Sequence, residues 1–326
     1  MKTSAIVRIV LFTLAILILG SILLGVLLIG QLATNLKESK LLENFHISDF
    51  VEDVIDMSNE DVFVVSGEGK SAVFDPNEFD ALEIEWAAGS ISIQPGNTDV
   101  ITITEDAVSN PKYEMQFSNS GNTIKIEGYE DDTIHFGITS FKVVSKDLVI
   151  TVPQDWYCKK LEVDAAAADL TINNMRIDTI DFDSASGELR LNNCHVDKID
   201  LDTASGDVEF SGTLNVLECD AASASCTIEV FNIPRRIEMQ SASGNLELHL
   251  PEDCGFTCQM ETLSGHFSSD FSTSSSNGQY VYGNGACRID LEAMSGNIFI
   301  RKADATAPCT EPDCTEAGHG HSDGNF

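Results

Sequence analysis

Ile199-Asp-Leu-Asp-Thr-Ala-Ser-Gly-Asp-Val-Glu-Phe210 alternates apolar and polar residues on both sides of a Ser-Gly pair. Alternation at period two marks a strand with one buried face. The pattern pauses at Gly206, where a residue without a Cβ permits a sharp bend. The stretch therefore reads as strand, tight corner, strand. It recurs as Ile237-Glu-Met-Gln-Ser-Ala-Ser-Gly-Asn-Leu-Glu-Leu248, so the chain is first of all a repeat protein.

Eight segments align on the corner: Leu82–Ile93, Leu161–Ile172, Ile180–Leu191, Ile199–Phe210, Cys219–Val230, Ile237–Leu248, Cys258–Ser269 and Ile289–Ile300. Their corner residues are Gly89, Ala168, Gly187, Gly206, Cys226, Gly244, Gly265 and Gly296. Apolar columns stand seven and five positions before the corner and two after it, as in Ile199, Leu201 and Val208. The position two before is small, with Ala185, Ala204, Ala224 and Ala242. A weaker column, Ile177, Val196 and Val216, predicts a short third side. One unit cannot bury its own apolar face, whereas stacked units form a continuous core. The expected fold is all-β, a β-solenoid with rungs of about nineteen residues stacked in chain order. The longer step from Gly265 to Gly296 carries an insertion, with 268–276 and 278–285 expected as a surface loop or hairpin. Between Gly89 and Ala168 the repeat lapses. Strands expected at Val100–Thr104, Tyr113–Phe117, Thr123–Glu127, Phe141–Val144 and Leu148–Val152 make this a hairpin-rich N-terminal part that caps or extends the coil.

The flanks differ in kind. Residues Ile6–Ile29 contain one charge, Arg8, and that length suffices to cross a ~30 Å hydrocarbon core. The run exceeds the ~7–15 residues of a signal-peptide core, so an uncleaved single-pass anchor is expected. Lys2 and Arg8 precede it, which slightly favours a cytoplasmic N-terminus. All 52 acidic residues follow the anchor, against 19 basic residues in the whole chain, for a net charge of −33. Such a chain repels phosphate, so nucleic acid is not an expected partner. Aromatic residues at 7% are too sparse for stacking platforms. The expected organisation is cytoplasmic N-terminus and anchor at 1–36, stalk or linker at 37–79, solenoid at 80–302 and a disordered tail at 303–326.

The rungs Ile199–Phe210 and Ile237–Leu248 resemble the bacterial putative-adhesin domain family, which includes the LiaG-like domains of unknown function. The same resemblance runs through Asp147-Leu-Val-Ile-Thr-Val-Pro153, Leu248-His-Leu-Pro251 and Gly283-Asn-Gly-Ala-Cys-Arg-Ile-Asp-Leu-Glu-Ala-Met-Ser-Gly-Asn-Ile298. It covers roughly Asp80 to Lys302. It implies a surface-exposed β-solenoid tied to the cell envelope, and it brings no catalytic residues with it. Cys226 and Ala168 depart from the corner pattern, and the Cys/His tail is foreign to it.

The candidate binding residues form an acidic ladder: Asp181, Asp183, Asp200, Asp202, Asp220 and Glu238. They alternate with the buried columns, so they point outward from one sheet. Pairs such as Asp181/Asp183 could gather Ca²⁺, which takes several oxygens, but no rung has the loop geometry of a known calcium site. A solvated, mutually repelling face that blocks association is the preferred reading. The Ser column (Ser186, Ser205, Ser225, Ser243, Ser264, Ser295) suits corner chemistry and lacks the setting of a nucleophile elbow. Stacking in chain order puts Ile237 between Cys219 and Cys258, which forbids a bridge between them. Cys254 and Cys258 are close enough in sequence for a local one. In the tail, Cys309, Cys314, His319 and His321 are weak candidate ligands for a soft metal.

The functional expectation is a non-catalytic, adhesin-like or cell-envelope interaction protein. It is held in the cell membrane by residues 6–29, with its C-terminal domain extracytoplasmic. Its expected partners are envelope or surface components, including a membrane protein. An accessory of an envelope-stress signalling system is the alternative. A carbohydrate-active β-helix enzyme comes third, because the rungs lack the aromatic and basic residues of a sugar groove.

Overall fold

The computed structural model of the protein describes residues 70–106, 113–128, 145–276 and 279–303. The expected anchor at 6–29, most of the stalk, the strand at Phe141–Val144, and the tail with Cys309, Cys314, His319 and His321 lie outside the described residues. Among the described residues, nineteen strands form one sheet, and no helix is long and apolar enough to cross a membrane.

The repeat unit behaves as its alternation demands. Leu189–Ser205 pairs in parallel with Arg176–Ser186 on one side and with Val208–Ser223 on the other. In each coil the apolar residues meet their counterparts above and below. Ile180, Ile199, Leu217, Ile237, Ile289 and Cys258 form one such column, paired neighbour to neighbour and fully buried. The corner explains its own residue. Gly206 has φ 114°, and a Cβ there would overlap the carbonyl oxygen of Gly187 in the coil below. Only glycine combines that dihedral with so close an approach.

A second corner carries no glycine signal in its first coils. Asn174 (φ 54°) and Asn193 (φ 52°) turn the chain in left-handed geometry that asparagine tolerates. Asn193 donates Nδ2–H to Oδ1 of Asn174 at 2.8 Å, and Asn192 donates to Asn173 at 2.9 Å. The coils are thus tied side chain to side chain at the bend.

The structure corrects three expectations. First, Cys226 is not a corner residue. It pairs with Val208 and Leu246, two positions past the bend, and Ala224 takes the corner beneath Gly244. The rung is displaced by two because Ala222, Ala224 and Cys226 are all small and preserve the alternation at either offset. Ser223 rather than Ser225 therefore pairs with Ser205, and Leu214 rather than Val216 continues the third column beside Val196. Second, the coils do not stack in chain order. The last segment, Cys287–Ser295 with Ile298–Lys302, inserts between Arg236–Ser243/Leu246–Leu250 and Phe256–Ser264/Phe267–Ser269. Ile237 consequently does not separate Cys219 from Cys258. Cys219 pairs with Met239, and Cys258 pairs with Ile289 in the next column. Third, Cys254 and Cys258 are not bridged: both are free, and Cys254 engages Cys287 instead.

Both ends of the described sheet are covered by antiparallel strands. The insertion is the expected hairpin: Ser274–Ser276 pairs with Gln279–Tyr282, which pairs with Phe256–Ser264. Phe271 is buried there, its ring 5.3 Å from that of Phe256 and 4.8 Å from that of Tyr282. At the other end Thr123–Glu127 and Ser145–Pro153 form the outermost parallel rung against Ala81–Gly96. Ser71–Phe74, Ile101–Glu105 and Gln116–Ser120 add antiparallel edges. Lys146 sits inside this end. Its ammonium is bonded to Glu105 and to the carbonyls of Gly128 and Tyr113, and lies 4.6 Å from the Trp86 ring centre. Trp86 donates its indole N–H to the Lys146 carbonyl at 3.0 Å, and Trp156 donates to that of Phe79 at 2.9 Å. Both tryptophans serve packing at this end.

Candidate functional site

Parallel stacking in register turns each outward position into a row along the coil axis, with ~4.8 Å between rungs. Three rows on one sheet matter. Eight positions before the corner stand Lys160, Lys198, Arg236 and Arg288, with Thr179 and Val216 among them. Six before it stand Glu162, Asp181, Asp200, Glu218, Glu238 and Asp290. Four before it stand Asp164, Asp183, Asp202, Asp220, Gln240, Glu292 and Glu261. The six candidate residues therefore lie on one face but divide between two rows. Asp181, Asp200 and Glu238 are in the outer row, and Asp183, Asp202 and Asp220 are in the inner one.

The outer row is largely paired with cations. Lys198 lies 3.0 Å from Asp200 and 2.9 Å from Glu218. Arg236 reaches Glu218 at 2.9 Å and also binds Glu238. Lys160 binds Glu162 at 2.5 Å and approaches Asp181 at 4.0 Å, and Arg288 binds Asp290 at 2.9 Å. These basic residues are the signal that sequence reasoning missed. They stand two positions from their partners along the strand, so they project on the same face.

Asp164, Asp183, Asp202 and Asp220 receive no cation from the described residues. Asp183 is 9% exposed and, among the described residues, has no hydrogen-bond or ion-pair partner. Loss of water around the charged form, followed by repulsion from Asp164 and Asp202, raises its pKa to about 7. Asp164 is raised to about 6 by burial first, then by Glu162 and Glu85. Asp202 and Asp220 are raised by the same two kinds of cause. In the outer row the hydrogen bond from Lys198 holds Glu218 below the ordinary glutamate range, whereas Asp181, which Lys160 approaches only at 4.0 Å, is raised by burial.

Beside the inner row the surface sinks into a groove of about 690 Å³. Asp183, Asp202, Asp220, Gln240, Glu292 and Glu261 line one wall. Its floor is small, with Thr203, Ala221, Ser241 and Ala293, and the far wall is Ala204, Ala222, Ala242, Met294 and Leu263. Leu263 is 85% exposed and Met294 62% exposed, although both are large and apolar. The groove thus offers negative charge on one side and hydrocarbon on the other. Carboxylates with raised pKa also occur in glycoside cleavage. Here the raising recurs along the row and singles out no acid–base pair, and no aromatic or basic side chain lines the groove. Among the described residues, no group of three or more His, Cys, Asp or Glu is arranged to hold a metal ion. His195 contacts Thr213 at 2.8 Å and His249 contacts Glu247 at 3.1 Å, away from this groove.

The profile of the Toastrack DUF4097 family matches residues 79–234 and 157–301. No curated protein matches the chain. Solved structures similar to it include a putative adhesin from Bacteroides fragilis, at 12% identity, TM-score 0.40, and 73% of this chain against 98% of that one. A protein from Parabacteroides distasonis described as a putative lipid binding protein is similar at 14% identity and TM-score 0.40, over 73% of this chain and 98% of that one. A putative cell adhesion protein from Clostridium sporogenes is similar at 12% identity and TM-score 0.34, over 72% and 100%. Likenesses this distant carry no argument about ligand or partner. The family profile spans both ends of the ladder and most of the chain, and on that match the protein belongs to the Toastrack DUF4097 family, a putative-adhesin domain family of unknown function.

Proposed function

We propose that the protein is a membrane-anchored, extracytoplasmic recognition module, non-catalytic and adhesin-like, whose ligand lies along the inner acidic row. One observation carries the reading: a run of four carboxylates that meets no cation among the described residues abuts or lines a groove, while Lys160, Lys198, Arg236 and Arg288 pair with most of the row beside it. An uncompensated, partly buried charge row weakens the fold, since like charges repel across strands. A face kept in that state suits an external partner that supplies the missing charge. The apolar run Ile6–Ile29 supports the anchor, and the confinement of all 52 acidic residues beyond it supports a single side for the binding face.

The test is cross-linking of the full chain in intact cells, followed by affinity purification and mass spectrometry. Envelope or surface components should be recovered with the native protein and lost with Asp183→Asn/Asp202→Asn. Recovery of one membrane protein, cross-linked to residues 1–79 and retained by that variant, would overturn the reading in favour of the envelope-stress accessory.

A further inference from the structure

Asp164, Asp183, Asp202 and Asp220 occupy consecutive rungs of the inner row. The row changes on both sides of this run. Glu85, one rung before it, is bound by Lys125 at 2.7 Å, and Gln240, one rung after it, carries no charge. Within the run, Asp183 is buried, lines the groove and has no hydrogen-bond or ion-pair partner among the described residues. Across the groove from the carboxylates stand Ala204 and Ala222. An occupant that satisfies both walls must be cationic, partly hydrocarbon and elongated.

The rung spacing narrows the class. Neighbouring carboxylates recur at ~4.8 Å along the coil axis. A peptide lying extended along that axis places same-face side chains ~6.8 Å apart, and it drifts out of register within two rungs. A peptide lying across the axis meets only one or two of the carboxylates. A compact multivalent cation spans one or two rungs and leaves the alanine wall uncovered. A linear aliphatic amine with three-carbon spacers repeats close to the rung spacing, and its methylenes can lie against the alanines.

We propose that this groove binds linear aliphatic polyamines with three-carbon spacers, one ammonium per rung over Asp183, Asp202 and Asp220, with the methylene spacers against Ala204 and Ala222. The assignment rests on the recognition reading above and names its ligand class. Each ammonium donates charge-assisted hydrogen bonds to a carboxylate that has no other donor, and the methylenes shed water from small apolar side chains.

The net charge of −33 attracts any polycation, so the test must separate groove binding from general attraction. Isothermal titration of full-length protein in detergent micelles would compare norspermidine, a trivalent amine whose spacers are all three carbons long, with hexaamminecobalt(III), a compact trivalent ion without methylenes. Norspermidine should bind about tenfold or more tightly than hexaamminecobalt(III) at equal charge, as one added charge-assisted hydrogen bond with burial implies. Asp183→Asn should weaken norspermidine about tenfold or more. Ala222→Lys, which tethers an ammonium within the groove, should do so independently should the first variant fold poorly. Glu209→Gln, which removes one exposed charge elsewhere, should leave the affinity unchanged. Equal affinity for norspermidine and hexaamminecobalt(III), or equal norspermidine affinity in Asp183→Asn, Ala222→Lys and the native protein, would overturn the polyamine assignment. If that happens while Asp183→Asn/Asp202→Asn still loses its envelope cross-links, the recognition reading survives and only the ligand class falls.

Discussion

Two rows of carboxylates run along one sheet, two residues apart in every strand, and they meet opposite fates. Asp200 and Glu218 in the outer row share Lys198, whereas Asp183 and Asp202 in the inner row face only other carboxylates. Strand geometry is the same for both, and both are rich in carboxylates. The difference lies in what stands two positions further from the corner, where Lys160, Lys198, Arg236 and Arg288 supply cations to the outer row. On the other flank the inner row meets Ala204, Ala222 and Ala242, which supply none. A repeat therefore sets charge density, and the neighbouring columns decide whether that charge is compensated.

The contrast is sharpest at Asp183. Its folded pKa of about 7 exceeds the ordinary aspartate value of 3.8, so the folded chain binds a proton more tightly than the unfolded one. The stability from that proton is fully present below about pH 4 and is lost as pH rises through about 7. Thermal unfolding should accordingly show stability falling between pH 5 and pH 8. Asp183→Asn should reduce that slope, leaving the part that Asp164, Asp202 and Asp220 contribute, and stabilise the protein at pH 8 by ~1–3 kcal/mol. A destabilised Asp183→Asn at pH 8 would show that an unseen partner compensates this carboxylate and would erase the distinction between the rows.

The effect in the outer row should be smaller and opposite in sign. Lys198→Ala exposes Asp200 and Glu218 to each other. Both ion pairs are more than one-third solvent-exposed on the Lys198 side, so the loss should be about 0.5–1 kcal/mol in chemical denaturation. The loss should shrink in high salt, as exposed pairs require. No loss at low salt would mean that the outer row is compensated by solvent alone.

Much of the architecture was legible in residues 199–210, because strand alternation and a Gly-dependent corner leave few alternatives. The register of the following rung was not legible. Ala222, Ala224 and Cys226 each satisfy the small-residue column, and a shift of two preserves every apolar position. The order of the last two coils was hidden for a related reason. Ile289 and Cys258 both suit the column beside Ile237, and only the parallel pairing of Arg236–Ser243 with Cys287–Ser295 decides between them. The hairpin after Gly265 was visible from its Ser and Gly residues, but its role in closing the coil depends on Phe271 meeting Phe256 and Tyr282 across a long sequence distance. The acidic face was visible residue by residue. Its division was not, because the cations at Lys198 and Arg236 are interrupted by Val216 in their own column. The groove itself arises from absent side-chain volume at Ala204, Ala222 and Ala242, which in sequence looks like corner packing.

Selective ¹³Cγ labelling of aspartate and ¹³Cδ labelling of glutamate in the full-length protein, with the carboxyl shifts followed from pH 3 to pH 9, measures the contrast directly. The account predicts that Asp183 titrates near 7, while Glu218, held by Lys198, titrates below the ordinary glutamate range. Titration of Asp183 in the ordinary aspartate range would contradict it, because burial and repulsion would then be offset in the inner row and the two rows would not differ.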